Sequence, residues 1–145
     1  MVESARVSTD RFTLSKMESI KQQLMAALGD ANMHKMGMCG CGASQMESLL
    51  KPVIHALQRD KLFHVIVQVT IGKNPDLRRI KQHIDGKLLG TNTSASRILF
   101  ILLDLYGKLD LGALGIFPSR DRKLILTSGS AEVLSNMNIQ TIFST

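Results

Sequence analysis

Residues 98 to 103 read Ile-Leu-Phe-Ile-Leu-Leu, followed by Asp104, Leu105 and Tyr106. No polar position interrupts the first six, so neither a half-solvated strand nor a one-faced helix accommodates them. Whatever this stretch becomes, it lies inside the molecule with neighbours on every side. Taken from Ala95 to Tyr106, it predicts a central buried helix closed by Gly107, with a strand over Ile98 to Leu103 as the competing reading. The run is far shorter than the ~20 residues a membrane span requires.

The other patterned segments must cover that centre. Ser15 and Glu18 fit a helix capping box, followed by Met17, Ile20, Leu24 and Leu28 at helical spacing, and Gly29 ends the pattern. A second capping box, Ser44 with Glu47, opens a stripe of Met46, Leu49, Leu50, Val53, Ile54 and Leu57. Pro52 lies on its polar side and predicts a kink or a split. Lys61 to Ile71 predicts a strand, with Phe63, Val65, Val67, Val69 and Ile71 on one face and His64, Ile66, Gln68 and Thr70 on the other. One fully apolar and one mixed face suit an antiparallel or edge position. Asn74-Pro75 starts a short helix with Leu77, Ile80 and Ile84 inward. The tail predicts a strand near Gly115 to Phe117, a turn at Pro118 to Asp121, a strand from Arg122 to Thr127, a helix near Ala131 to Met137 and a last strand from Ile139 to Phe143. The expected fold is α+β, with about five helices packed on a small, mainly antiparallel sheet. It forms one domain over residues 11–145, after a flexible stretch at 1–10 and with a mobile Met/Cys/Gly-rich loop at 29–43. A chain of 145 residues supports one core. With only 4% aromatic residues, that core is built from Leu, Ile, Val and Met.

The loop holds the densest chemistry. Met33 to Met46 contains both cysteines, one of four histidines and half of the eight methionines. Cys39 and Cys41, joined by Met36, Met38 or His34, offer the polarizable donors that select Cu(I), and zinc would need a distant histidine to complete four ligands. The same methionines also serve as adaptable filler or as a protein contact surface in an oligomeric adaptor. Gly37, Gly40 and Gly42 lead into a helix start, a place that favours anions, but no phosphate-loop Lys-Ser/Thr follows. The sequence therefore predicts no resident cofactor, with Cu(I) or Zn as the alternative.

Charge carries the preferred reading. The net charge is +6, and eleven basic against six acidic residues follow position 60. Lys73, Arg78, Arg79, Lys81 and Lys87 form one cluster, and Arg120, Arg122 and Lys123 form a second around a turn. If folding unites them, they make a surface for phosphate groups, giving salt-dependent, sequence-tolerant binding. No catalytic spacing of the His-Glu-x-x-His or Gly-x-Ser-x-Gly kind occurs, so a non-enzymatic role is expected. Two cysteines one residue apart suit a reducing compartment, and the polar start, Met1 to Asp10, lacks a secretory signal's apolar run; cytoplasm or nucleus is expected.

The passage Lys61 to Arg79, including Lys73-Asn74-Pro75, is similar in pattern to matrix proteins of negative-strand RNA viruses. That resemblance covers fewer than twenty residues and implies a basic α+β protein that binds membrane and nucleoprotein. The expectation is thus a basic binding protein for nucleic acid or an acidic membrane surface. A soft-metal protein and an oligomeric adaptor are the rivals.

Overall fold

The computed structural model describes residues 18–40, 43–91 and 96–144. The expected flexible stretch at 1–10 and the first capping box at Ser15 lie outside them. Helix α1 covers 18–29, β1 is Lys35–Cys39, α2 is Ala43–Arg59, β2 is Val65–Gly72 and α3 is Leu77–Leu88. Strand β3 is Ile98–Leu105, followed by a 3-10 turn at Gly112–Leu114, β4 at Arg122–Ser128, α4 at Ala131–Ser135 and β5 at Thr141–Ser144.

All five strands join one sheet in the order β2-β3-β4-β1-β5, and every pairing is parallel. This corrects the expected mainly antiparallel sheet and the five helices. Parallel neighbours require crossovers, and right-handed crossovers put α2 and α3 on opposite faces, because the chain crosses the sheet in opposite directions at those two steps. The core divides accordingly. Helices α1 and α2 pack with Met36, Met38, Leu99, Ile101, Leu103 and Ile125 on one face. Helix α3, the 3-10 turn and α4 pack with Val67, Ile98, Phe100, Leu102, Leu124 and Leu126 on the other.

The apolar run from Ile98 to Leu103 is part of β3, not of a helix. It is apolar on both sides because helices cover both faces of a central parallel strand. Its pattern breaks at Asp104, which has φ 64°. Between Leu102↔Leu126 and Leu105↔Ser128, β3 carries one residue more than β4. Asp104 is that bulged residue, and its N–H donates to Thr127 Oγ1 at 2.9 Å. The extra residue turns Leu105 toward the α3 face.

The expected loop at 29–43 contains β1, an inner strand with Met36, Gly37 and Met38 buried. Gly37 has a packing reason. A Cβ there would lie 3.2 Å from both Ile139 Cγ2 and Leu134 Cδ1, so the side-chain-free position admits α4 and the segment leading to β5. Helix α2 is continuous through Pro52 instead of splitting. Helix α3 is capped by Asp76, whose Oδ1 accepts from Arg79 N at 3.3 Å, two residues beyond the Asn74 cap expected. No separate strand forms at Gly115 to Phe117, where the chain instead leaves a 3-10 turn. None of the described helices is long and apolar enough to cross a membrane.

Candidate anion-binding edge

Because the strands are parallel, the residue preceding each one arrives at the same edge of the sheet. Across the amino-terminal edge, in spatial order, come His64 before β2, Arg97 before β3, Arg122 and Lys123 opening β4, and His34 with Lys35 at β1. Adjacent strands lie ~4.8 Å apart, so this row spans roughly 14 Å.

Local bonds hold each member. His64 N donates to Arg97 O at 2.8 Å, and Arg97 N returns a bond to His64 Nδ1 at 2.8 Å. The accepting Nδ1 places the ring proton on Nε2. The Arg97 guanidinium lies over the Phe63 ring, 5.4 Å from its centroid. Arg122 Nη1 donates to Ser96 O at 3.1 Å. Gln140 Oε1 accepts from His34 N at 2.6 Å and Lys35 N at 2.9 Å, while its Nε2 donates to Asn32 O at 2.8 Å. One glutamine thereby fixes the approach to β1.

Lys123 is different. It is 1% exposed, on the α1 face of β4, and its ammonium donates to Asp30 O, just beyond the end of α1. Burial pushes its pKa down first, then Arg97; Arg120 adds to the fall, and Asp30 and Asp121 oppose it. Lys35 is also pushed down, by burial. Beside Lys35 opens a cavity of about 490 Å³ whose polar lining includes Lys108, Asp110, Asn136 and Asn138.

Helices α1, α2 and α3 all end at this edge, and each C-terminus is equivalent to roughly −0.5 charge. Arg59 and Lys87, in the last turns of α2 and α3, answer part of that. Yet the edge, with the cavity beside Lys35, carries nine cationic side chains (Lys35, Arg59, Lys61, Lys87, Arg97, Lys108, Arg120, Arg122 and Lys123) against four carboxylates (Asp30, Asp60, Asp110 and Asp121). The excess outweighs the helix ends, so the edge is the positive pole of the domain.

The two basic clusters expected from sequence do not meet. Lys73, Arg78 and Arg79 stand at the carboxyl end of the sheet, and α3, ~18 Å long for its 12 residues, separates them from Lys87 and the Arg120 turn. Lys73 lies over the Tyr106 ring at 5.6 Å, and Lys81 is paired with Asp85 at 2.9 Å. Lys123 is buried and thus no surface contact. Arg97, Lys35 and His64, by contrast, belong to the row although sequence reading did not group them. Their signal was position, one residue before or at the start of a strand, and it is informative only once the strands are known to be parallel.

The soft-ligand set also disperses. Met36 and Met38 are fully buried and face α1 and α2, whereas Cys39 packs on the opposite side of the sheet. His34 is at the other end of β1, roughly 17 Å of strand away, with Nε2 3.0 Å from Ala31 O. Cys41 lies outside the described residues. Among those described, no group of three His, Cys, Asp or Glu is placed to hold a metal. Of the methionines offered as a contact surface, Met36 and Met38 are buried in an interior strand.

Open parallel sheets commonly bind ligands at their carboxyl ends. Here that end has a cavity of about 370 Å³ lined by Asp104, Tyr106, Ser128, Gly129 and Ser130, among others. Ser128 Oγ is already engaged, donating to Leu105 O at 2.6 Å and accepting from Ser130 N at 3.1 Å. The polar lining offers a carboxylate and hydroxyls and no cation. The sequence matches no protein-family model and no curated protein.

Proposed function

We propose that this protein is a non-enzymatic binding protein that engages a phosphate-bearing anionic partner along the amino-terminal edge of its sheet. The observation that carries this reading is the basic row at His64, Arg97, Arg122 and Lys35, with Lys87 and Arg120 exposed beside it. The guanidinium groups supply charge-assisted hydrogen bonds to phosphate oxygens, and the lysines supply point charge. Recognition of this kind reads charge density, not sequence, and weakens as salt displaces the cations' partners.

The test is direct. Binding of labelled polyuridylate and of anionic vesicles is measured by anisotropy and by flotation over a salt series. With four phosphates neutralised on a single strand, log K falls with log salt at a slope of about −3. The double variant Lys87→Glu/Arg120→Glu alters only exposed side chains and is expected to abolish binding with its circular dichroism unchanged. Lys73→Glu/Arg78→Glu, at the opposite end, is expected to bind nearly as wild type. No binding to any polyanion at low salt, or equal loss in both double variants, removes the proposal.

A further inference from the structure

Among the described residues, the large apolar side chains most exposed to solvent are Leu89, Phe117 and Tyr106, at 86%, 67% and 52%. Tyr106 stands at the carboxyl end beneath Lys73. The other two enter the amino-terminal edge. Leu89 is the C-cap of α3, next to Gly90, whose φ of 81° turns the chain away. Phe117 leaves the 3-10 turn two residues before the turn in which Ser119 and Arg122 exchange backbone hydrogen bonds at 2.9 and 3.3 Å. Helix α3 packs against the 3-10 turn, and the two loops lead into the starts of the adjacent strands β3 and β4. Leu89 follows Lys87, and Phe117 precedes Arg120, by two and three positions. The edge therefore pairs protruding apolar tips with the cations of the positive pole.

We infer that the anionic partner is a lipid surface, an inference that rests on the reading of this edge as an anion site. Leu89 and Phe117 enter the boundary between headgroups and acyl chains, and Lys87, Arg97, Arg120 and Arg122 hold anionic headgroups around them. Neither signal suffices alone. A few cations give weak, salt-labile adsorption, and two apolar side chains bury too little area; together they fulfil the two-signal requirement of peripheral attachment. The observations favour lipid over single-stranded nucleic acid because the more exposed of the two tips is aliphatic. A leucine gives bases no stacking face, whereas acyl chains accept it as readily as a phenyl ring.

Flotation with phosphatidylcholine vesicles, with and without phosphatidylserine, tests this on the full chain. Wild type is expected to float only with the anionic vesicles. Leu89→Ser and Phe117→Ser keep the charge and are each expected to lower the partition about tenfold or more, with Phe117→Leu restoring most of it. Because both side chains are exposed, the variants fold, and circular dichroism verifies it. Vesicle binding indifferent to both serine variants overturns the inference. So does binding of polyuridylate that Phe117→Ser abolishes while vesicles are ignored, which assigns the ring to base stacking and leaves the anion reading intact. Binding to neither vesicles nor polyuridylate overturns the anion reading itself.

Discussion

Lys123 offers a quantitative test of how charge and packing combine beneath the basic edge. Its methylene stem is buried on the α1 face of β4, and its ammonium reaches Asp30 O just past the end of α1. The lowered pKa states that this surrounding disfavours the ammonium relative to water. Desolvation and the repulsion of Arg97 and Arg120 outweigh the Asp30 and Asp121 carboxylates. Lys123→Met keeps most of the stem and removes the charge; Asp30 is exposed, so water can replace the lost donor. The expected change at neutral pH is within about 1 kcal/mol. Lys123→Ala instead removes three buried methylenes at ~0.8 kcal/mol each and leaves a cavity, an expected loss of about 2–4 kcal/mol. At 2–4 °C per kcal/mol, the alanine variant melts roughly 5–15 °C lower.

The pH dependence gives a second readout. Between the lowered folded pKa and the ordinary 10.5, the unfolded chain holds more protons on this lysine than the folded one. Stability therefore rises with pH through that window, and below it the ionised lysine exerts its full cost. Urea unfolding of wild type and Lys123→Met at neutral pH and just below 10.5 isolates the effect, since other titrating groups are shared. Wild type should gain on the methionine variant as pH rises. If Lys123→Met is as damaging as Lys123→Ala, or the difference is flat with pH, the Asp30 contact and not the stem holds this position and the reasoning fails.

Two further expectations concern single residues of β1 and α2. Gly37→Val adds a branched side chain where Ile139 and Leu134 already stand 3.2 Å from the Cβ position, and should cost about 1–3 kcal/mol or more in urea unfolding; a neutral result would mean that α4 is free to move away. Pro52→Ala restores an N–H donor within α2 at an exposed position and should stabilise by about 1–3 kcal/mol; a loss of stability would show that the proline geometry is required.

Much of the fold was written in side-chain periodicity, and what escaped did so for physical reasons. The stripe from Met46 to Leu57 forms the helix it predicts, and of the strand expected over Lys61 to Ile71 the part from Val65 forms β2, which does lie at the sheet's edge. Its one-sided burial comes from that edge position, which in this sheet is parallel. The run at β3 could not be told from a buried helix, since burial on both faces erases the period. Lys35 to Cys39 was hidden more deeply. A five-residue strand built of Lys, Met, Gly, Met and Cys lacks the β-branched residues that mark strands, and its glycine serves a neighbour that periodicity does not reveal. With β1 unseen, the alternation of strand and helix that signals a parallel sheet was lost. The candidate site suffered the same way. Arg120 and Arg122 were legible as a charge cluster, but Arg97 and Lys35 join them only through strand direction.

The position of β1 also bears on how the chain reaches its native state. Its partners are β4, where Lys35 meets Leu124, and β5, where Met36 meets Thr141, so both neighbours lie about 90 or more residues downstream. Strands β2, β3 and β4 are sequential neighbours and can assemble in order, but β1 must wait between two empty flanks until residues 122–144 have been made. Late insertion of an early strand is a non-local step, which slows folding and leaves Met36 and Met38 uncovered on the nascent chain. During synthesis, the methionine strand that ends buried within the sheet stays exposed until β4 and β5 have followed it.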